Sequence, residues 1–308
     1  MVFHFTCAPY GGESLIKSNF SKSILEYGAQ GVELFYIISG FVITYALSRQ
    51  NYNIKNYPKF LLKRISRIVP PYLLTIFGIL FANFLLSRFI WYSEFAINWK
   101  EILINVIYLA DMFPEVNWIN PIFATLKVEF QFYILIGIIF PLIHKSKWIL
   151  VAVVLLFFST GIYWGEHDTV FRNAPFFFGG VTTFYITQKS NLTANLILLL
   201  LSLVVLLYFY PLKDSIVLIL GVSLLYFLPS NFKILKRSGE ISYSLYLTHG
   251  LFGGWFIYFA TQIEMINNYP LLIIVFAFII SWIFAWIMYQ IIEKPSIKLS
   301  KSVKYKST

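Results

Sequence analysis

Residues 29–47 read AQGVELFYIISGFVITYAL, a run whose one charged side chain is Glu33. At 1.5 Å of rise per residue, about 20 mostly apolar residues cross the roughly 30 Å hydrocarbon core of a bilayer, and this stretch meets that requirement. Eight further runs of the same kind follow at about 68–86, 122–143, 148–164, 172–187, 194–210, 213–228, 241–262 and 269–291. Residues 1–10 supply only half a span, and ILINVIYLADM (102–112) is apolar but too short to cross, which suits an interfacial or re-entrant helix. Most prolines lie at the limits of these runs or between them, where a missing backbone donor costs least. The predicted architecture is all-α: a polytopic transmembrane helix bundle of about ten spans, the first incomplete. One integral membrane domain covers 1–308, with 292–308 as a basic tail.

Composition supports that reading. Of 308 residues, 58% are hydrophobic and 12% charged, leaving too little polar surface for a soluble globule and arguing against disorder, coiled coil and nucleic-acid binding. Cys7 is the single cysteine, so no internal disulfide framework or cysteine-based zinc site is expected.

The net charge of +10 resolves by position. Loops 48–67, 144–147, 188–193 and 229–240, with the tail from 292, hold 17 Lys or Arg against two acids, Glu240 and Glu293. The intervening loops, among them 11–28, 87–121, 165–172 and 263–268, hold six basic residues against ten acidic ones. The positive-inside rule places the first set, and the C terminus, in the cytoplasm. Anionic lipid headgroups are the simplest partner for that charge.

Ionisable side chains inside spans are costly and each needs a reason. Five stand out: His4, Glu33, Lys127, Glu129 and His249. Counting residues from the outer ends puts His4, Glu33 and Glu129 at one depth, roughly 6–11 Å below the surface. If their helices adjoin, a histidine and two carboxylates meet in a buried pocket open to the outside, where the available chemistry is proton transfer. Structural alternatives stand beside this: Glu33 snorkelling to the interface, Lys127 pairing with Glu129, and His249 bonding a backbone carbonyl. The four histidines are scattered without ligand spacing, so no metal is expected. At the opposite face, KFLLKRISRIVPPYLL (59–74) places Arg64 and Arg67 three apart on one helix face before Pro70-Pro71. Guanidinium pairs grip phosphate oxygens, whereas Lys59 and Lys63 read as ordinary topogenic charge.

Several of these segments resemble one family, the acyltransferase 3 group of integral membrane acyltransferases. GVELFYIISGFVITYAL (31–47) is similar to its "GVDLFFVLSGF" signature, FLLKRISRIVPPYLL (60–74) to "RRxxRIxPxY", and ATLKVEFQFY (124–133) to "WSLxxExxFY". ISYSLYLTHG (241–250) and IIEKP (291–295) resemble its C-terminal "SYxxYLxH" and "ERP" elements, and VFHF (2–5) stands at the first-span histidine. The resemblance implies transfer of an acyl group, usually acetyl from cytoplasmic acetyl-CoA, to a hydroxyl of an outward-facing carbohydrate or lipid-linked glycan across a bacterial inner membrane. It implies His4 as the essential base, Glu33 and Glu129 as its acidic partners, Arg64 and Arg67 as the acyl-CoA grip, and His249 as a further, less constrained donor-side residue. The family also has a basic residue ten or eleven positions before its histidine, whereas three residues precede His4, so the chain reads as shortened at its start. The leading aromatic of "WSL" is replaced by Phe123 or Ala124.

Two other readings compete: a proton-coupled transporter or glycan exporter, and an inactive, truncated family member. Paired Gly or Pro breaks in matching halves, the usual pointer to alternating access, are absent from the spans. Acceptor specificity is expected in the outer loop 87–121, where Trp91, Trp99, Asn117 and Trp118 suit either sugar stacking or interfacial anchoring.

Overall fold

The structure, a computed structural model, describes residues 4–5, 27–90, 92, 94–163, 168–227 and 239–305. The half-span at 1–10 apart from His4 and Phe5, the loop 11–26, Trp91, and 229–238 of the basic loop lie outside the described residues. All regular structure among the described residues is helical: α1 (Gly31–Arg49), α2 (Tyr57–Phe89), α3 (Trp99–Val106), α4 (Phe123–Lys145), α5 (Lys147–Tyr163), α6 (Ala174–Thr187), α7 (Leu192–Phe209), α8 (Leu212–Phe227), α9 (Ser242–Thr248), α10 (Trp255–Thr261), α11 (Glu264–Asn267), α12 (Pro270–Met288) and α13 (Lys294–Ser302). Short 3-10 turns precede α1 and α2 and follow α3, and π-helical turns at His249–Gly254 and Tyr289–Glu293 join α9 to α10 and α12 to α13. Five helical stretches are long and apolar enough to cross a membrane: 28–49, 54–89, 123–145, 192–209 and 270–302. The other expected spans correspond to shorter helices or, at 242–261, to one interrupted by its π turn.

One expectation is corrected. Pro70 and Pro71 do not start a span but lie inside the 33-residue α2, which begins at Tyr57 with Pro58 in its first turn. Proline is tolerated in a first turn, where the N–H has no intrahelical acceptor. Beside the inner pair, Tyr243 Oη donates to Ile68 O at 2.9 Å, so a neighbouring helix braces the irregular stretch.

The chain forms two compact units. The first holds residues 1–29, 63–122 and 231–303. Within it the segment after α3 turns back along α2. Tyr72 Oη donates to Asn105 O at 2.7 Å, and the Tyr72 and Tyr108 rings stack at 4.7 Å. Tyr72 precedes the end of α2 by about 25 Å of rise. Asn105 organises the return: its amide donates to Glu101 O and Asn117 O and accepts from Ile119 N. In the same segment the Lys100 ammonium, 2.8 Å from Glu115, holds that carboxyl below its usual range.

The second unit holds residues 30–62, 123–230 and 304–308. Its centre is α6, buried from Ala174 through Tyr185 although only 14 residues long. A side chain at Gly40 would run into the Phe177 carbonyl, and one at Gly180 into the Ile37 carbonyl, so α1 and α6 meet backbone to backbone. Small residues do this in membrane bundles because dispersion contact, rather than exclusion of water, holds apolar helices together in lipid. Tyr36 and Phe132 stack on Phe177 at 4.7 and 4.1 Å, extending that seam to α4.

Candidate active site

In the first unit the α9 to α10 helix widens into its π turn at His249, within the sequence HGLFGG. Such π turns inside α-helices are frequent at functional sites. His249 is buried, and its Nδ1 lies 2.7 Å from Tyr246 O and 3.1 Å from Leu245 O. A carbonyl only accepts, so Nδ1 carries a proton and Nε2 is the nitrogen left to meet other groups. Nε2 is buried and has no hydrogen-bond partner among the described residues. The expected backbone bond of His249 is therefore present, and it uses only one of the ring's two nitrogens.

His4 stands against this group, its ring 5.3 Å from that of His249. Its neighbour Phe5 seats it: the fully buried Phe5 ring packs with Ile257, Ala260, Ile273 and Ala277 and lies edge-on to Phe278 at 5.3 Å. Gly253 is required there, since a side chain on it would collide with Phe5 and with Ser281 Oγ.

The same unit carries the arginines. Arg64 is half-buried and Arg67 exposed. Tyr243, which reaches Ile68 beside them, is six residues before His249, about 9 Å of helix rise. Glu293 reinforces this corner: its buried Oε2 accepts from Ser244 N at 3.1 Å and Ser244 Oγ at 2.5 Å, within electrostatic range of Arg67. Glu293 is a residue that the sequence reading assigned to a motif but to no task.

The two acidic candidates belong to the second unit. Glu129 Oε1 accepts from Ser39 Oγ at 3.1 Å and from Tyr133 Oη, so it is buried with hydroxyl donors aimed at it. Glu129 and Tyr133 are four apart on α4, a helical spacing that the sequence already displayed, whereas Ser39 comes from α1. Glu33 sits elsewhere in this unit. It is six residues before Ser39, about 9 Å along α1, and within electrostatic range of Lys213, Asp214 and Asp168. Its Oε2 is buried and has no hydrogen-bond partner among the described residues. The structure thus brings His4 to His249 and places both arginines in their unit, and it gives Glu33 and Glu129 separate surroundings.

Among the proposed acceptor contacts, Trp118 Nε1 donates to Asp111 Oδ1 at 2.6 Å and its ring packs on Ile104, Ala110 and Val116, while Trp99 stays exposed.

Fold and site define a polytopic helical membrane protein with one histidine pair and two arginines, Arg64 and Arg67, in the same unit. The chain belongs to the acyltransferase 3 family, a family of membrane acyltransferases: residues 2–290 match the family model described as an acyltransferase domain. No curated protein and no solved structure matches the chain at a significant level.

Proposed function

We infer that the protein is a membrane-bound O-acyltransferase, taking an acyl group, acetyl in the first instance, from acyl-CoA on the cytoplasmic side. The acceptor is a hydroxyl of an outward-facing carbohydrate or glycolipid. The setting is a bacterial inner membrane with the C terminus in the cytoplasm, a topology supported by the alternation of basic and acidic loops.

The observation that carries this reading is the placement of His4 beside His249 in the unit that also holds Arg64 and Arg67. The arginines grip the phosphates of acyl-CoA, with Glu293 and Ser244 fixing the corner around Arg67. His4 removes the proton of the acceptor hydroxyl as that oxygen attacks the thioester carbonyl. The C–O bond forms, the C–S bond breaks, and the proton held by His4 passes to the departing thiolate. His249, its Nδ1 proton committed to the backbone, keeps an accepting Nε2 and holds the His4 ring in place. Glu129 is carried as a required acid, and Glu33 as a second acid of the same reaction.

The test is consumption of acyl-CoA by the purified chain in lipid nanodiscs with a mixed glycan acceptor. Acylated glycan should form with the wild type and be lost on His4→Ala while insertion into the membrane is unchanged. Transfer retained by His4→Ala removes the assignment, and proton-coupled uptake without acyl-CoA consumption would replace the enzyme by a transporter.

A further inference from the structure

In the second unit α4 and α5 are joined by the single residue Ser146, and α6 is joined to α7 by the turn 188–191. A small pocket of about 40 Å³ lies between these two connections. The first contributes His144, Lys145 and Lys147 to its wall, and the second contributes Asn191, with Asn195 from the start of α7. His144 is a fixed part of that wall: its ring stacks on Phe140 at 5.1 Å and its Nδ1 lies 3.2 Å from Tyr185 Oη.

Two features of the wall favour negative charge. Lys145 and Lys147 are exposed and form no ion pair with another described residue. Asn191 begins the 18-residue α7, and its side chain makes no capping hydrogen bond, so the positive end of a long helix contributes to the same wall. A third feature is independent of charge. Asn195 is 3% exposed, and its Nδ2 donates to Ser190 O at 2.8 Å and to Asn191 O at 3.2 Å, which fixes the orientation of the amide. Its Oδ1 is buried and has no hydrogen-bond partner among the described residues. An unpaired buried carbonyl oxygen is costly, so the wall suits a guest that donates a hydrogen bond as well as carrying negative charge.

Size narrows the guest further. The pocket is little larger than one water's share of the liquid, about 30 Å³. It admits a hydroxymethyl group and excludes a sugar ring or a trimethylammonium group. An ammonium donor would meet Lys145 and Lys147 with like charge, whereas a hydroxyl does not. Trp148 fixes the depth: it is exposed, with Lys147 Nζ 5.4 Å from its ring centre, and such aromatics sit at the level of lipid headgroups.

We propose that the pocket is a site for a phosphoglycerol headgroup, the charged end of an anionic membrane phospholipid. The phosphate lies at the rim between Lys145, Lys147 and the start of α7. The terminal glycerol hydroxyl enters the pocket and donates to Asn195 Oδ1. General attraction between basic loops and anionic lipid has no preference among headgroups of equal charge, and this site does. It uses none of the residues assigned to acyl transfer, so the two readings stand or fall separately.

The experiment is native mass spectrometry of the full chain, freed of lipid in detergent and titrated with phosphatidylglycerol or with phosphatidylethanol of the same acyl chains. Both lipids are phosphodiesters of equal charge, and only the first carries glycerol hydroxyls. Phosphatidylglycerol should bind about five-fold more tightly, the contribution of roughly one hydrogen bond. Replacing both lysines, Lys145→Gln with Lys147→Gln, should weaken the two lipids alike, about ten-fold. Ala194 also lines the pocket, and Ala194→Leu fills it without removing a side-chain hydrogen bond. That variant should abolish the preference and leave phosphatidylethanol binding unchanged. Equal binding of the two lipids by the wild type would leave charge as the whole attraction, and a preference that survives Ala194→Leu would place the hydroxyl elsewhere. Either result overturns the proposal. So does displacement of phosphatidylglycerol by an equal concentration of glycerol phosphate, which would make the guest a soluble phosphate ester rather than a lipid.

Discussion

The imidazole of His4 lies 5.3 Å, centroid to centroid, from that of His249, whose own Nδ1 is turned 2.7 Å from the carbonyl of Tyr246. The second histidine is thus held by the backbone of its π turn, and the first is packed against it. His249→Phe keeps a ring of similar size but removes the donor, whereas His249→Gln retains an N–H that can reach the same carbonyls. Acyl transfer should fall roughly ten- to hundred-fold in His249→Phe and be partly restored in His249→Gln. Melting temperature should track the donor in the same order. Unchanged turnover in His249→Phe would show that its nitrogen has no bearing on His4.

Arg64 and Arg67 offer guanidinium forks that a lysine ammonium does not reproduce. Arg64→Lys and Arg67→Lys should each raise KM for acyl-CoA about ten-fold, close to one charge-assisted hydrogen bond, with kcat little changed. An acyl donor lacking the 3′-phosphate should show part of the same defect with wild-type protein. Loss of kcat at unaltered KM would move the pair from donor binding to some other task.

Glu129 accepts two hydroxyl donors in a buried position. Glu129→Ala should destabilise the protein by about 1–3 kcal/mol, because the Ser39 and Tyr133 hydroxyls lose their acceptor. Glu129→Gln keeps an oxygen for them and should melt close to the wild type. If the Gln variant is stable but inactive, the charge itself is needed; if it is stable and active, the residue is architectural.

The α1 to α6 seam has no room for side chains. Gly40→Ala and Gly180→Ala each drive a methyl into a backbone carbonyl that cannot move independently of its helix. Destabilisation of about 3 kcal/mol or more is expected, seen as a lower melting temperature and a larger aggregated fraction in detergent. Gly31, at the start of α1, has nothing within 4 Å of a built Cβ, and Gly31→Ala should be neutral or slightly stabilising. Equal effects at the three positions would mean that the seam is looser than its geometry.

Much of the site was legible in advance where chemistry is local. Ionisable groups in apolar runs identify themselves by their cost, which is why His4, Glu129 and His249 could be named from the chain alone. The i, i+4 relation of Glu129 to Tyr133 was equally open to reading. Ser39 and Glu293 lie within the quoted segments, but their tasks were not legible, since a serine in an apolar span is ordinary and Glu293 follows a span in what reads as a basic tail. Their importance comes from partners 90 and 49 residues away. The common depth of His4, Glu33 and Glu129 is a count of residues along each helix. Depth, however, leaves rotation about the helix axis undetermined, and rotation sets Glu33 among Lys213, Asp214 and Asp168.

The amino-acid sequence by itself determined that this chain is an all-helical bundle of long apolar segments, and which polar groups those segments carry. Apolar length and isolated charge are properties of a segment and survive without its neighbours. Only the tertiary structure decided which faces meet: the glycine seam of α1 and α6, the commitment of His249 Nδ1 to the backbone, and the small pocket that Asn195 lines. Lipid and protein interior are both apolar, so a span that is hydrophobic all round bears no stripe to announce its packing face. That choice is made by shape, through glycines that admit a backbone and side chains that find their one hydrogen-bond partner.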